Sequence, residues 1–433
     1  MHMADALVSP AVGGTLWAAS AGTIAYCSAR VNKELDDRKV PLMGVLGAFL
    51  FAAQMINFTI PATGSSGHLG GGLLLTVLLG PYAAFLTIAS VLMIQALFFA
   101  DGGLLALGCN IFNLGVFPAF VAYPLLYRPL AGRTPSTAKI AAASLAAAIV
   151  GLQLGAFSVV LETVLSGISA LPFTAFVSLL QPIQFGIGVV EGLVTAIIVG
   201  FVRKARPDIF SDSGKVNHGV MKSIVPAFLA LALVTGGFIS WFASEHPDGL
   251  EWSIRKITGQ EEVARANDAI HGTLAAIQEK LAILPDYAFR KPAEKIGAGR
   301  RLPTAYAPSE KPAADDNRLG TGLAGVVGAL LTMGLTVLIG FVLRRRQQLT
   351  ARQPHSHEHA HPHHHCHEHL HSHGGKGHSH GHEHEHSHPH PHVHDHAEPH
   401  GTDPNPRHSH DAVATEHSHD HDDSDHGSHE HRH

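Results

Sequence analysis

The sequence has 433 residues, of which 45% are hydrophobic and 15% charged, and its net charge is −5 with neutral histidines. Nothing in this balance resembles the concentrated Lys and Arg of a nucleic-acid-binding surface, so we expect no nucleic-acid partner. The three cysteines, Cys27, Cys109 and Cys366, are odd in number and far apart, which argues against a disulfide framework.

These averages combine two unlike parts of the chain. Long apolar runs dominate the first two thirds, whereas residues 354–433 contain almost no large apolar side chain. Of the 36 histidines, 31 follow Gln353, and the remaining five are His2, His68, His218, His246 and His271. The sequence therefore predicts a membrane-embedded part followed by a polar, histidine-rich part.

A helix needs about 20 apolar residues to cross the hydrocarbon core of a membrane. The first apolar run follows no basic region, so we predict no cleavable signal peptide. The third predicted span is short and is also compatible with a re-entrant helix. The predicted spans lie near Pro10–Ala29, Pro41–Phe58, His68–Gly80, Tyr82–Ala100, Leu104–Leu126, Ala138–Leu165, Pro182–Val202, Met221–Ala243 and Gly320–Leu343.

The orientation follows from Lys and Arg in the short loops, which favour the cytoplasmic side. The loops at 59–67, 101–103 and 166–181 carry neither residue. The basic clusters fall on one side only if the N-terminus is outside, which puts the C-terminus inside. These clusters are Arg30–Lys39, Arg128–Lys139, Arg203–Arg206 and Arg344–Arg346.

One loop stands out for its glycines, the stretch Thr59–Gly72 with the sequence TIPATGSSGHLGGG. Glycine lets a backbone approach a bound group closely and adopt positive φ. The only titratable side chain of this loop is that of His68. Taken alone, the pattern fits a glycine-rich turn with an incidental histidine about as well as a binding loop.

The start of the chain, Met1-His2-Met3, favours the binding loop. The free amine of Met1, the backbone nitrogen of His2 and the Nδ1 of its imidazole can form a five-membered and a six-membered chelate ring around one ion. His68 would supply the fourth nitrogen in the same plane. Such a tetragonal nitrogen site suits Ni(II) or Cu(II). The sequence thus predicts Met1, His2 and His68 as metal ligands on the outer face.

Between the last two predicted spans lies a long loop, residues 244–319, which begins with the motif PDGLE at Pro247–Glu251. Apolar residues from Glu261 to Leu284 recur at helical spacing and stop at Pro285, which predicts one amphipathic helix. The stretch Lys291–Asn317 is rich in proline and charge and is typical of a linker.

After Arg352 the chain alternates histidine with Glu, Asp, Ser, Gly and Pro. That composition cannot form a packed core, so we predict a disordered tail. Dense neutral imidazoles bind Ni, Zn, Cu and Co ions with little selectivity, which predicts metal binding by this tail.

Motifs for nucleotide hydrolysis and for zinc chemistry are missing. The sequence has no P-loop, and its membrane part has no H-E-x-x-H or cysteine-pair zinc pattern. Three carboxylates, Asp101, Glu162 and Glu191, lie within or near predicted spans, where such groups are candidates for function. Contact with a partner or with the membrane interface is the simpler explanation for each of them.

Met1-His2, the loop GSSGHLGGG and the stretch QALFFADGGLLALGCNIFN at Gln95–Asn113 resemble the CbiM/NikM family from Met1 to about Lys204. These proteins are the substrate-capture membrane subunits of energy-coupling-factor transporters for cobalt and nickel. Residues from Met221 to Arg346 resemble the two-span NikN/CbiN-type partner with its PDGLE motif, so the chain looks like a fusion of both. Met3 departs mildly from the family pattern, which usually has Ile there.

The resemblance implies that the metal is bound by Met1, His2 and His68 and that separate coupling (T) and ATPase (A) subunits drive transport. It implies a non-enzymatic subunit without a catalytic cofactor, which captures Ni²⁺ or, next, Co²⁺ in the inner membrane. A proton-coupled Zn²⁺ transporter and a membrane-anchored metal store are the alternatives.

The predicted fold is an all-α membrane protein. Residues 1–205 form a bundle of about seven helices, 206–220 a cytoplasmic linker, and 221–346 a PDGLE domain with two further spans. Residues 347–433 form the histidine-rich tail.

Overall fold

The computed structural model describes residues 2–34, 39–205, 218–260, 263, 266, 268–289, 314–351, 355–373 and 376–394. It divides the chain into two compact units, Met1–Gln348 and Leu349–His433. The predicted CbiM-like and PDGLE parts thus belong to one unit. The predicted linker 291–317 and cytoplasmic linker 206–220 fall mostly outside the described residues.

The apolar runs form the helices of the first unit, as predicted for an all-α membrane protein. Pro118 and Pro124, which lack the amide N–H of a regular α-helix, lie in a π-helical stretch, Phe112–Tyr127, that joins α5 to α6. The helices are α1 Pro10–Glu34, α2 Lys39–Gln54, α3 Gly72–Leu79, α4 Pro81–Phe98, α5 Leu107–Ile111, α6 Arg128–Ala131, α7 Thr137–Ser166, α8 Phe173–Ala205, α9 His218–Gly237, α10 Gly249–Thr258, α11 Ala269–Leu281 and α12 Ala314–Ala351.

Five helical stretches of the described chain are long and apolar enough to cross a membrane: 81–98, 107–131, 137–166, 173–204 and 318–345. Two further apolar helices, Val40–Gln54 and Val225–Gly237, are shorter. The 25-residue α1 has the length of a span, but its many small residues lower its mean hydropathy. The predicted third span is the eight-residue α3, which begins at Gly72 rather than at His68.

The two sequence halves pack through helices α2 and α12. Backbone at three glycines approaches side chains of the other helix so closely that a Cβ would collide: Gly44 with Val337, Gly340 with Val40, and Gly328 with Phe51. Small residues permit such close helix contacts where no hydrophobic driving force acts between helices in lipid.

Two short strands form the only sheet of the described first unit. Strand β1, Phe58–Ile60, pairs antiparallel with β2, Ser65–Gly67, in the register Phe58 to Gly67. The turn between them uses positive φ at Ala62 and Gly64. The hairpin ends directly before His68, so it fixes where the glycine-rich loop begins.

Residues 244–289, the PDGLE segment, differ from the single helix predicted over Glu261–Leu284. Helix α10 starts at the PDGLE motif itself, and α11 begins only after Asp268, whose side chain accepts the amides of Ile270 and His271. This N-cap satisfies two amides that the first helical turn leaves without partners. The C-terminal end of α11 at Leu281 falls three residues short of the predicted end at Leu284.

The second unit covers most of the tail that the sequence predicts to be disordered. Residues up to Ala351 continue α12, and strands β3, His355–His373, and β4, Lys376–His394, pair antiparallel. Nine histidines from His355 to His371 stand directly opposite nine from His378 to His394. Residues 395–433 lie outside the described chain.

Candidate metal centre

The loop after β2 carries His68, which is 9% exposed. Its Nδ1 lies 3.0 Å from the carbonyl oxygen of Leu69. If Nδ1–H donates this hydrogen bond, Nε2 carries the lone pair, a pattern common among metal-binding histidines. Burial lowers the pKa of His68 well below its ordinary value, which favours the neutral ring that a metal needs.

Glycines 70–72 are required by the packing of this loop. A Cβ at Gly71, where φ is +73°, would collide with Leu50, and a Cβ at Gly72 would lie 2.5 Å from the carbonyl oxygen of Leu114. A Cβ at Gly70 would lie 3.1 Å from Glu191 Oε2 and 3.0 Å from Leu152. The glycines therefore let the loop lie deep among helices, a reason that the sequence alone did not supply.

Two polar side chains from membrane helices hold the loop backbone. The Glu191 Oε2 on α8 accepts the amides of Gly70 at 2.8 Å and Gly71 at 3.1 Å. Gln54 on α2 donates to the Gly70 carbonyl at 3.0 Å and in turn accepts from Gln95 at 2.9 Å. Both carbonyl and amides of the loop are thus satisfied inside the protein, as buried backbone groups must be. Glu191 has the role of a loop anchor.

The N-terminal arm, residues 2–9, is folded against the loop that follows α4. Met3 is fully buried, its amide donates to Asn110 at 2.8 Å, and its carbonyl accepts from Gly103 at 2.9 Å. Asp5 accepts the amides of Leu105 and Ala106 at 2.8 and 3.0 Å. These contacts fix the arm on both sides of the backbone next to His2.

The arm and the loop bring His2 and His68 together. Their ring centroids are 5.0 Å apart with an interplanar angle of 40°. Met1 lies outside the described residues, so of the three predicted ligands the structure describes two. The described residues hold no group of three or more His, Cys, Asp or Glu side chains arranged for a metal ion.

Asp101 is bonded to His2 and ties it to the PDGLE segment. Its Oδ1 lies 2.7 Å from His2 Nδ1, and its Oδ2 accepts from the Tyr287 hydroxyl at 2.5 Å. Burial would raise the pKa of Asp101, but His2 and these hydrogen bonds outweigh it and lower the pKa. Burial and the neighbouring Asp101 raise the pKa of Tyr287. Asp101 is therefore a carboxylate and Tyr287 a neutral donor.

This contact bears on the predicted chelate. The six-membered ring of that chelate uses His2 Nδ1, the nitrogen that Asp101 engages, while His2 Nε2 is buried without a hydrogen-bond partner in the described chain. Coordination through Nδ1 requires Asp101 to release the ring.

The PDGLE motif is joined to the strand before His68. The Ser66 amide donates to the Pro247 carbonyl at 2.8 Å, and its hydroxyl donates to the His246 carbonyl at 2.7 Å. Asp248 caps α10 by accepting the amide of Glu251 at 2.9 Å, and Glu251 accepts the amide of Asp248 at 3.1 Å. This reciprocal pair is a capping box.

The remaining motif residues, Gly249 and Leu250, pack against neighbouring elements. A Cβ at Gly249 would lie 2.7 Å from Ile183, and Leu250 is 3% exposed in the core below the arm. The motif is therefore a helix start that fits against α8 and supports β2. Sequence reasoning found the motif but gave it no role.

The third membrane carboxylate, Glu162 on α7, makes its hydrogen bonds in the described chain to residues other than the two histidines. Asn113 donates to it at 2.9 Å and Ser158 at 3.0 Å. Asn113 also approaches the sulfur of Met3 at 4.0 Å. Glu162 thus belongs to the polar contacts under the arm.

The long apolar helices define a multi-pass membrane protein, and comparison with known proteins places it in the metal-transport class. Residues 2–209 match the family model "Cobalt uptake substrate-specific transmembrane region" (CbiM), and residues 222–345 match the PDGLE domain. The chain belongs to the CbiM family and carries a PDGLE domain fused to it.

Three relatives illustrate the range of the family. A Haloquadratum walsbyi protein described as a metal transport protein is 36% identical over 48% of this chain and 93% of its own. An Archaeoglobus fulgidus protein described as a fused nickel transport protein, NikMN, is 33% identical over 54% and 79%. The cobalt transport protein CbiM of Sorangium cellulosum is 33% identical over 48% and 94%.

Proposed function

We propose that this chain is the substrate-capture subunit of an ATP-driven energy-coupling-factor importer and that it takes Ni²⁺ in preference to Co²⁺. The observation that carries the proposal is the 5.0 Å separation of the His2 and His68 rings. The arm and loop that bear them are far apart in sequence, and both are held by buried hydrogen bonds within two residues of the histidine. Such support is what a precise binding site requires.

The ion would be held by the Met1 amine, the backbone nitrogen and imidazole of His2, and the imidazole of His68. A planar set of four nitrogens favours Ni(II) over Co(II). The fused relative of Archaeoglobus fulgidus is described as a nickel transport protein, which supports the same order. Capture would exchange the Asp101 contact of His2 for the metal.

Transport would need a coupling subunit and ATPase subunits in the same membrane, since the sequence has no P-loop. The basic clusters support an arrangement with the N-terminus outside and the C-terminus in the cytoplasm. In that arrangement the ion enters at the arm, and the histidine-rich tail is on the side where the ion is released.

Equilibrium binding of Ni²⁺ to protein that ends at Gln353, and so lacks the tail, tests the site. We expect His2→Ala to abolish high-affinity binding and His68→Ala to weaken it severely, because each removes an in-plane nitrogen. His246→Ala is the matched control, since His246 is exposed and offers Ser66 only its backbone carbonyl. An unchanged affinity in His2→Ala would refute the ligand set.

The amine has its own test. One residue added before Met1 converts the amine to an amide without an available lone pair, so tight binding should be lost. A residue added after Gln353 controls for the handling of the protein. Retention of one tightly bound equivalent in the N-terminally extended protein would show that the amine is no ligand.

A further inference from the structure

His271 is a fully buried histidine that the proposed metal site does not use. It lies in the first turn of α11, and its side chain reaches from the PDGLE segment to the N-terminal arm. Its Nδ1 is 2.6 Å from Asp268 Oδ2, and its Nε2 is 3.0 Å from the carbonyl oxygen of Asp5 and 3.1 Å from that of Val8.

Both ring nitrogens therefore face groups that accept hydrogen bonds. A neutral imidazole has one N–H donor and one acceptor nitrogen, whereas the protonated ring has two donors. Two backbone carbonyls cannot donate to Nε2. Asp268, whose pKa is lowered first of all by the amide of His271, is a carboxylate and cannot donate to Nδ1. Only the imidazolium satisfies every contact.

The contact lies three residues from His2. The carbonyls of Asp5 and Val8 belong to the short helical turn that leads from His2 into α1, and no other described side chain donates to them. Holding this turn therefore restricts where His2 is placed. When His271 loses a ring proton, at least one of its hydrogen bonds to Asp268 or to the turn is lost.

Other charged groups near these elements are already engaged. The Asp5 carboxylate accepts hydrogen bonds from the amides of Leu105 and Ala106. Glu162 on α7 is bonded to Asn113 and Ser158, and Asp101 after α4 is bonded to His2 and Tyr287. Asp268 is the carboxylate in direct contact with the ring of His271.

We propose that His271, as an imidazolium, is a positioning residue that clamps the N-terminal arm to the PDGLE segment and releases the arm as the surroundings become alkaline. Histidine exchanges its second ring proton in the physiological range. Acid weakens metal binding because it protonates the ligands. A clamp that holds the arm more firmly at low pH keeps His2 in place under the conditions in which metal binding is weakest. This consequence rests on the proposed function.

The clamp is tested by the mobility of the arm in metal-free, full-length protein. Ala4 is exposed, so a spin label on Ala4→Cys reports the arm, with Cys366→Ser introduced and Cys27 and Cys109 buried. We expect the mobile fraction to rise as the pH increases from 5.5 to 8.5. His271→Gln should remove this dependence. Asp268→Asn, which keeps an N-cap acceptor but loses the charge, should shift the transition to lower pH.

Label mobility that is constant with pH in the parent protein, or that changes equally in His271→Gln, overturns the clamp. The same variants are then compared by initial Ni²⁺ uptake in cells with the coupling and ATPase subunits. We expect His271→Gln to lower the rate about fivefold or more at pH 6, within the usual range of coupling between sites, and little at pH 8. Equal losses at both pH values would show a structural role and contradict the proposal. Because the label experiment uses no metal, its result is independent of whether Met1, His2 and His68 bind the ion.

Discussion

At Gly71 the backbone has φ +73°, and a Cβ would meet the side chain of Leu50. We predict that Gly71→Ala destabilises the protein by about 2–4 kcal/mol, since left-handed strain costs about 1 kcal/mol and overpacking adds 1–3. Ni²⁺ affinity should fall as well, because the displaced loop carries His68. Gly167→Ala is the control, with similar φ (+64°) and open space around its Cβ. It should lose only the strain energy and bind Ni²⁺ normally, as measured by thermal unfolding and binding titration.

The burial of His68 predicts how the stability of the metal-free protein depends on pH. Its folded-state pKa is lowered, so the unfolded chain binds the proton more readily. Stability of the metal-free protein should therefore decline as the pH falls below about 6.5, the unfolded value. His68→Gln, which does not titrate, should reduce that decline. A pH profile of thermal unfolding that is identical in both proteins would contradict the prediction.

The proximity of His2 and His68 could be predicted from sequence because local patterns mark both residues: the start Met1-His2, which can chelate an ion, and a loop crowded with glycine. Asp101 and Tyr287 could not be paired in this way, since 186 residues separate them and only Asp101 lies in a stretch that carries the family resemblance. His271 belongs to an ordinary amphipathic pattern. Its role depends on the acceptors that other elements present to its ring, which only the tertiary fold determines.

Among the elements, α10 shows how the PDGLE motif supports the loop of His68. Its N-cap, Asp248, accepts two amides of α10, and the Pro247 carbonyl before it accepts the Ser66 amide. We predict that Asp248→Ala costs about 1 kcal/mol of stability. It should also lower Ni²⁺ affinity because the support of β2 loosens. Asp248→Asn keeps the capping acceptor and should retain both. Full binding by the Asp248→Ala protein, despite its lower melting temperature, would separate the motif from the metal site.

Hydropathy predicted that the membrane helices exist, but it did not predict where the elements begin and end. The third predicted span started at His68, whereas the loop runs as far as Gly71, because Glu191 and Gln54 satisfy its backbone within the membrane part. The hairpin β1–β2 was missed because it has only three residues per strand and no alternating apolar pattern. Helix α10 was missed because a ten-residue helix with a short apolar face resembles a loop in sequence.

At the scale of the molecule, the PDGLE segment contacts every part that carries the histidine site. It donates to the loop after α4 through Gln278, at 2.7 Å from the Gly102 carbonyl, and to the end of α4 through the amide of Ile283, at 2.9 Å from the Phe98 carbonyl. Together with Ser66, His271 and Tyr287, these contacts explain why the two sequence families occur here as one compact unit. A fusion keeps the PDGLE segment at a fixed stoichiometry with the N-terminal arm.

The tail allows a prediction about the whole transport cycle. In the proposed topology it lies across the membrane from the capture site, so it acts on ions after their release. The tail is dense in histidine, and neutral imidazoles bind such ions. A chain ending at Gln353 should therefore show an unchanged initial rate of Ni²⁺ uptake at trace metal but a smaller accumulated load, or greater toxicity, at high metal. A chain of the same length as the parent, with the tail histidines replaced by Ser, is the control for the loss of mass. A large drop in initial rate at trace metal would contradict both the buffering role and the proposed orientation.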